Sequence, residues 1–249
     1  MKIKSVRSLE VLDSRGKPTI MTSVYLEDGS KGTAMVPSGA STGSLEAYEL
    51  NDNEPERYLG SGKLKAVENS NKKIFEGLAG LDASDQKLID ETMIEIDGTE
   101  NKNNLGANTI LAASIATARA SASSANIPLY EYLNITFNKM FSTKVHMSMP
   151  RPMLNIFNGG SHANNTIDIQ EFMILPSKNI PFKKGLRMST EVYMNLKILL
   201  SQKALSTTVG DEGGFAPNLK TNDEVINFII EAVDKSGYKF CEDIFLGLD

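Results

Sequence analysis

Val209-Gly210-Asp211-Glu212-Gly213-Gly214-Phe215-Ala216-Pro217-Asn218 sets two adjacent carboxylates between glycines, and the segments on either side decide the fold it belongs to. After it, Thr221-Asn222-Asp223-Glu224 has the Thr-x-x-Glu spacing of a capping box. It opens a helix that buries Val225, Ile226, Ile229, Ile230 and Val233 and stops near Gly237. The apolar run Ile244-Phe245-Leu246-Gly247-Leu248 follows as a strand. Before it, strand-like runs from Met153 to Phe157 and from Ile167 to Leu175 lead into a long amphipathic helix, about Phe182 to Gln202. Strand, helix, strand is the rhythm of a parallel α/β sheet or barrel, and the acidic pair then stands at a strand end, where barrels gather reactive groups.

Toward the N-terminus the rhythm is different. The first 36 residues alternate β-rich runs, Val6 to Leu12 and Thr19 to Leu26, with the turn clusters Asp13 to Pro18 and Glu27-Asp28-Gly29-Ser30, which predicts a three-stranded meander. Apolar residues then recur at helical spacing at Leu64, Val67, Ile74 and Leu78, and again at Leu88, Ile89, Met93 and Ile96. Ala107 to about Ser124 is rich in Ala and Ser, as a buried helix in close contact with neighbouring backbone would be. Strands followed by helices without alternation describe an α+β domain. The change of rhythm near Pro150-Arg151-Pro152 divides the chain into an α+β capping domain, residues 1–140, and the first part of a modified TIM-type α/β barrel, residues 141–249. A complete barrel takes about 250 residues, and the last strand has no helix after it to cover it, so the barrel is expected to be incomplete in this chain.

Bulk composition narrows the function classes. A chain of 249 residues, 41% hydrophobic and 23% charged, can bury a substantial core. With 26 Lys and Arg against 31 Asp and Glu, the net charge is -5, and the signs are interspersed, so no nucleic-acid partner is expected. The one cysteine, Cys241, allows no internal disulfide and fits a reducing cytosol. Arg7 and Glu10 interrupt any signal-peptide core, and no run approaches the roughly 18 apolar residues of a membrane span. A cytoplasmic protein is expected.

Four segments carry chemistry. Val36-Pro37-Ser38-Gly39-Ala40-Ser41-Thr42-Gly43 has glycines that allow close backbone approach and hydroxyls that can ligate a hard cation or meet phosphate; taken alone, a plain surface loop is the commoner reading. Phe157-Asn158-Gly159-Gly160-Ser161-His162-Ala163 places one of only two histidines in a glycine-rich loop, where an imidazole can reach an anion. The same second segment leads on to Gln170-Glu171-Phe172-Met173-Ile174, which sets a carboxylate inside an apolar strand and calls for a partner or a function, unless that strand face is solvated. The third segment is the string quoted at the outset, where neighbouring acids can have their pKa values pushed apart for acid and base work. The fourth is Asp249, at the end of its strand.

Together these strings resemble enolase, the phosphopyruvate hydratase family. The likeness runs in order along the whole chain: Leu12 to Gly16, Pro18-Thr19, Pro37 to Gly43, Tyr58-Leu59-Gly60, Asp97 to Lys102, Leu105 to Asn108, Asn158 to His162, Gln170 to Met173, Gly210 to Asn218 and Gly247-Leu248-Asp249. The resemblance implies a small α+β domain, then a barrel that begins with two strands and two helices. It implies the Mg2+-dependent, reversible dehydration of 2-phosphoglycerate to phosphoenolpyruvate in glycolysis and gluconeogenesis, with a small phospho-acid as substrate. Carried over by position, Glu212 resembles the acid that assists hydroxyl departure, Glu171 its neighbouring carboxylate, and Asp249 a ligand of the tightly held Mg2+. Ser41 resembles a ligand of a second Mg2+ in a loop that closes on substrate, and His162 and Gln170 resemble substrate-contacting residues. Asp211 reads as structural.

Departures accompany the likeness. The family's basic lysine, further acidic Mg2+ ligands and phosphate-gripping pair are expected beyond Asp249, so the 249-residue chain alone is expected to be inactive. Met21 stands where the family usually carries a glutamate that pairs across a homodimer, and Asn51 replaces a common arginine. Two alternatives stay open: a truncated, non-catalytic paralogue serving as a binding or regulatory module, and a hydratase of another phospho- or phosphono-acid.

Overall fold

A computed structural model describes residues 1–39, 43–210 and 212–249, and divides the chain into two units, Met1–Met147 and Ser148–Asp249. In the first unit, β1 (Ile3–Leu12), β2 (Pro18–Leu26) and β3 (Lys31–Val36) form the expected antiparallel meander, in the order β1-β2-β3. The β1–β2 turn is tied by the Asp13 carboxylate, whose Oδ1 accepts from the Arg15 and Lys17 amides at 2.8 and 2.9 Å. Val6, Val24 and Ala34 point inward, onto a buried helix, α4 (Ala107–Ser124). Its small side chains let the sheet come close: a Cβ on Gly32 would lie 2.1 Å from the Ala116 carbonyl oxygen. On the other face Leu9, Met21 and Met35 are cross-strand neighbours in one row, Leu9 and Met35 exposed and Met21 half-buried.

The remaining helices of this unit close the core. The helical run from Leu64 is interrupted: α1 (Leu64–Asn69) passes through a π turn, Ser70–Ile74, into α2 (Phe75–Leu78). The Asp52 carboxylate accepts from the Leu64 and Lys65 amides, each at 2.9 Å, and so satisfies donors that α1 leaves open at its start. Beside it, Glu10 takes both guanidinium arms of Arg57, Nη1 at 2.9 Å, and the Lys63 amide at 2.6 Å. The Arg57 hydrogen bonds hold the Glu10 carboxyl below its ordinary range against the opposing push of burial. α3 (Gln86–Asp97) is capped by the Asp85 side chain and ends at Gly98, which takes the left-handed conformation that stops helices (φ 67°). α5 (Leu129–Met140) is a helix that the sequence patterning did not predict.

The second unit follows the order strand, strand, helix, helix, strand: β4 (Leu154–Asn158), β5 (Glu171–Pro176), α6 (Phe182–Gln202), α7 (Asn222–Lys235) and β6 (Ile244–Leu248). The Thr221 hydroxyl accepts from the Glu224 amide at 3.2 Å, while the Glu224 carboxylate reaches back to the Lys220 amide at 2.8 Å. Ile156, Phe172, Ile174, Val192, Leu196 and Ile229 join one core under the two helices.

One sequence expectation fails here. The strands are not parallel: β5 pairs antiparallel with both β4 and β6. A single crossover helix returns the chain for a parallel strand, whereas the two helices α6 and α7 carry it up and back down, so β6 starts beside the end of β5 and runs against it. β4 and β6 therefore end at the rim where β5 begins. Among the described residues, no helix is long and apolar enough to cross a membrane.

Candidate functional site

The rim collects the candidate residues of the second unit. Asn158 closes β4 opposite Glu171, which opens β5. Glu171 and Asp249 then exchange two backbone hydrogen bonds, of 3.0 and 3.1 Å. Residues opposed in this way point to the same face. Along β5 the even-numbered Phe172, Ile174 and Pro176 are buried, while Glu171, Met173 and Leu175 lie half-buried on the face away from them. Glu171 is thus not inside its strand but at its start, because the Ile167 and Gln170 carbonyls are taken up by the Gly160 and Gly159 amides, at 2.6 and 3.0 Å, and cannot join a ladder.

His162 reaches this face from the turn Gly160–His162. Its Nδ1 lies 3.2 Å from Glu171 Oε1, with the two side chains 8% and 19% exposed, so a protonated imidazole would sit directly on that carboxylate. The alignment falls short of a hydrogen bond, and Nδ1 has no hydrogen-bond partner among the described residues.

Glu212 rides on a tight turn in which the Gly213 amide donates to the Gly210 carbonyl at 3.1 Å and the Gly210 amide to the Gly214 carbonyl at 2.8 Å. Gly213 has φ 87°, a conformation that favours glycine. Two side chains fix the turn. Asn158, wholly buried, accepts from the Gly214 amide at 2.9 Å and donates to the Gln170 carbonyl at 3.3 Å, so that one amide joins the Glu212 turn to the start of β5. From α6, the Tyr193 hydroxyl donates to the Gly213 carbonyl at 3.0 Å while its ring stacks on Phe215, 4.4 Å between centroids. Asn165 donates to the Asn158 carbonyl at 2.9 Å and ties in the His162 loop.

The structure brings Glu171, His162, Gln170 and Asp249 to one stretch of rim and sets the Glu212 turn against Asn158 beside them. Among the described residues, no hydrogen bond or ion pair links Glu212 to Glu171, and the Glu212 side chain is exposed, as is Asp249. Ser41 and Asp211 lie outside the described residues. Sequence reasoning missed Asn158 as a side chain with work of its own, along with Asn165 and Tyr193. The Asn-Gly-Gly string marked a turn, but nothing in it said that the asparagine amide faces inward.

A hard cation such as Mg2+ takes oxygen ligands in octahedral geometry. Asp249 and Glu171 are donors of the right kind, on adjacent strands. Among the described residues, however, no group of three or more His, Cys, Asp or Glu side chains is arranged to hold a metal ion. The described residues alone do not make up a magnesium site.

An α+β unit joined to a unit built on strand, strand, helix, helix, strand, with acidic groups gathered at one rim, defines an α+β domain followed by the opening of a modified barrel. Residues 3–133 match the enolase N-terminal domain, and residues 146–249 match the enolase C-terminal TIM barrel domain. The chain belongs to the enolase family, within a superfamily of lyases and hydratases.

Proposed function

We propose that this protein, as part of a complete enolase, catalyses the reversible dehydration of 2-phosphoglycerate to phosphoenolpyruvate in the cytoplasm, as a step of glycolysis and gluconeogenesis. The observation that carries the reading is the rim itself. In a chain matching both enolase domains, Glu171, His162, Gln170 and Asp249 converge there, and the Glu212 turn is held beside them by Asn158.

In this reading Glu212 is the acid. Protonated, it gives its proton to the C3 hydroxyl, the C3–O bond breaks with its electron pair leaving as water, and the C2–C3 double bond forms as the C2 proton is lost. Glu171 is its companion carboxylate and lies against the His162 imidazole. His162 and Gln170 hold the phospho-acid. Asp249 is a metal ligand, and Ser41 binds substrate and a second Mg2+. The base that takes the C2 proton is not one of these residues. A homodimer is the proposed assembly, with Met21 rather than an acidic residue in the Leu9–Met35 row of β1–β3.

The test uses the protein encoded by the whole reading frame, with Mg2+ and 2-phosphoglycerate. Phosphoenolpyruvate should form, and Glu212→Gln should lower turnover by about 10²–10⁴-fold, the usual scale of a general acid, with an unchanged circular-dichroism spectrum. Wild-type turnover in Glu212→Gln would refute the assignment, and no turnover in the wild type would refute the reaction.

A further inference from the structure

Tyr193 is not among the residues assigned above to binding or proton transfer, yet its placement is specific. Its neighbours on α6, Val192 and Leu196, are fully buried in the core, and a phenylalanine at position 193 would stack on Phe215 equally well. The hydroxyl needs its own explanation, since at this exposed edge of the helix it could bond to water, yet it is directed at a backbone carbonyl. Burial pushes the Tyr193 phenol up from its ordinary range, so it stays a neutral donor. Its partner is the Gly213 carbonyl, the residue next to Glu212, at 3.0 Å.

Backbone bonds hold the Gly213 amide to the Gly210 carbonyl and the Gly210 amide to the Gly214 carbonyl, and among the described residues Tyr193 is the side chain that holds the Gly213 carbonyl. Gly213 has open space where a side chain would be, and the nearest anchor, Asn158 Oδ1, grips the Gly214 amide from the β4 side. The two bonds oppose each other across consecutive residues, one from the sheet and one from the helix layer. Both act on one peptide group, the Gly213 carbonyl and the Gly214 amide, so without the helix side that group hangs on Asn158 alone and can swing about Gly213, which tolerates either sign of φ.

We propose that Tyr193 is a positioning residue, whose hydroxyl locks the Gly213 peptide and thereby the direction in which Glu212 presents its carboxyl group. The proposal rests on the reading of Glu212 as the acid. Its test is Tyr193→Phe, which removes one oxygen and keeps the ring stack. Amide hydrogen exchange in the full chain should quicken about five- to tenfold at Gly210, Gly213 and Gly214, the scale of one neutral hydrogen bond, while the β5 amides stay unchanged. Equal acceleration throughout Ser148–Asp249, or none at the turn, would overturn it. In the catalytic protein the same variant should lower kcat several-fold at unchanged KM, and an unchanged kcat with a loosened turn would also overturn the positioning role. If the wild type turns over no 2-phosphoglycerate, the functional reading fails by itself, and exchange at the turn still decides whether the hydroxyl locks it.

Discussion

Replacing Gly214 with alanine would place a methyl group 2.6 Å from Asn158 Oδ1, 2.7 Å from the Phe157 nitrogen and 2.9 Å from Asn155 Oδ1. All three distances lie inside van der Waals contact, and the second is to strand backbone, which cannot step aside. Relief must come from the turn moving off β4, which breaks the 2.9 Å bond from the Gly214 amide to Asn158. Forcing a methyl group into a packed site costs about 1–3 kcal/mol, and a lost hydrogen bond adds about 1 kcal/mol, for a total of roughly 2–4 kcal/mol. The adjacent glycine is the control. Gly213 has φ 87° and nothing within 4 Å of where a methyl group would stand, so Gly213→Ala meets only the left-handed backbone penalty, about 1–2 kcal/mol. Urea unfolding read by pulsed hydrogen exchange of β5 peptides reports the second unit separately from the first. Gly214→Ala should unfold at lower urea than Gly213→Ala. The reverse order, or equal midpoints, would refute the claim that close approach at Gly214 sets the turn.

Two further outcomes concern stability. Glu10→Gln removes a carboxylate whose folded pKa is lowered by Arg57. A lowered pKa contributes stability above the ordinary value of 4.5 that is lost as pH falls through the folded value, so the variant should melt below wild type at pH 7 and converge with it in acid. A pH-independent gap in melting temperature would contradict this. Leu196→Ala empties a fully buried position under the barrel strands and should cost about 2–5 kcal/mol in urea unfolding, against under about 0.5 kcal/mol for Met194→Ala on the exposed side of the same helix.

Elements with one strong period were legible in the sequence. α6 and α7 fall where their apolar spacing and the Thr221 cap predict, and the meander where alternation and turn residues predict. α5 was not, because Leu129, Tyr130, Tyr132, Leu133, Ile135 and Phe137 satisfy helical and alternating spacing alike and no side chain caps its start at Pro128. The expected strand from Ile167 begins only at Glu171, since local glycine amides claim the carbonyls before it. Strand direction was not hidden in the same way: both helices between β5 and β6 are legible, and two helices rather than one return the chain antiparallel, so the rhythm strand, helix, strand was the wrong template for this segment. At the candidate site, the charged residues announce themselves by being costly in apolar surroundings. Asn158 and Tyr193 do not, because each is ordinary in its own segment, and what they do depends on which backbone they meet across 56 and 20 positions of sequence.

The reversed direction of β5 also says where the molecule can be altered. The segments 159–170 and 203–221 both open onto the rim that holds Glu171 and the Glu212 turn, while 177–181 and 236–243 meet at the opposite end, where the Ser177 amide donates to the Asp243 carbonyl at 2.7 Å. For anyone attaching a label, the exposed positions of those far-end segments, such as Lys178 and Glu242, are the addresses to choose, whereas Ile180, Tyr238 and Phe240 beside them pack on the core.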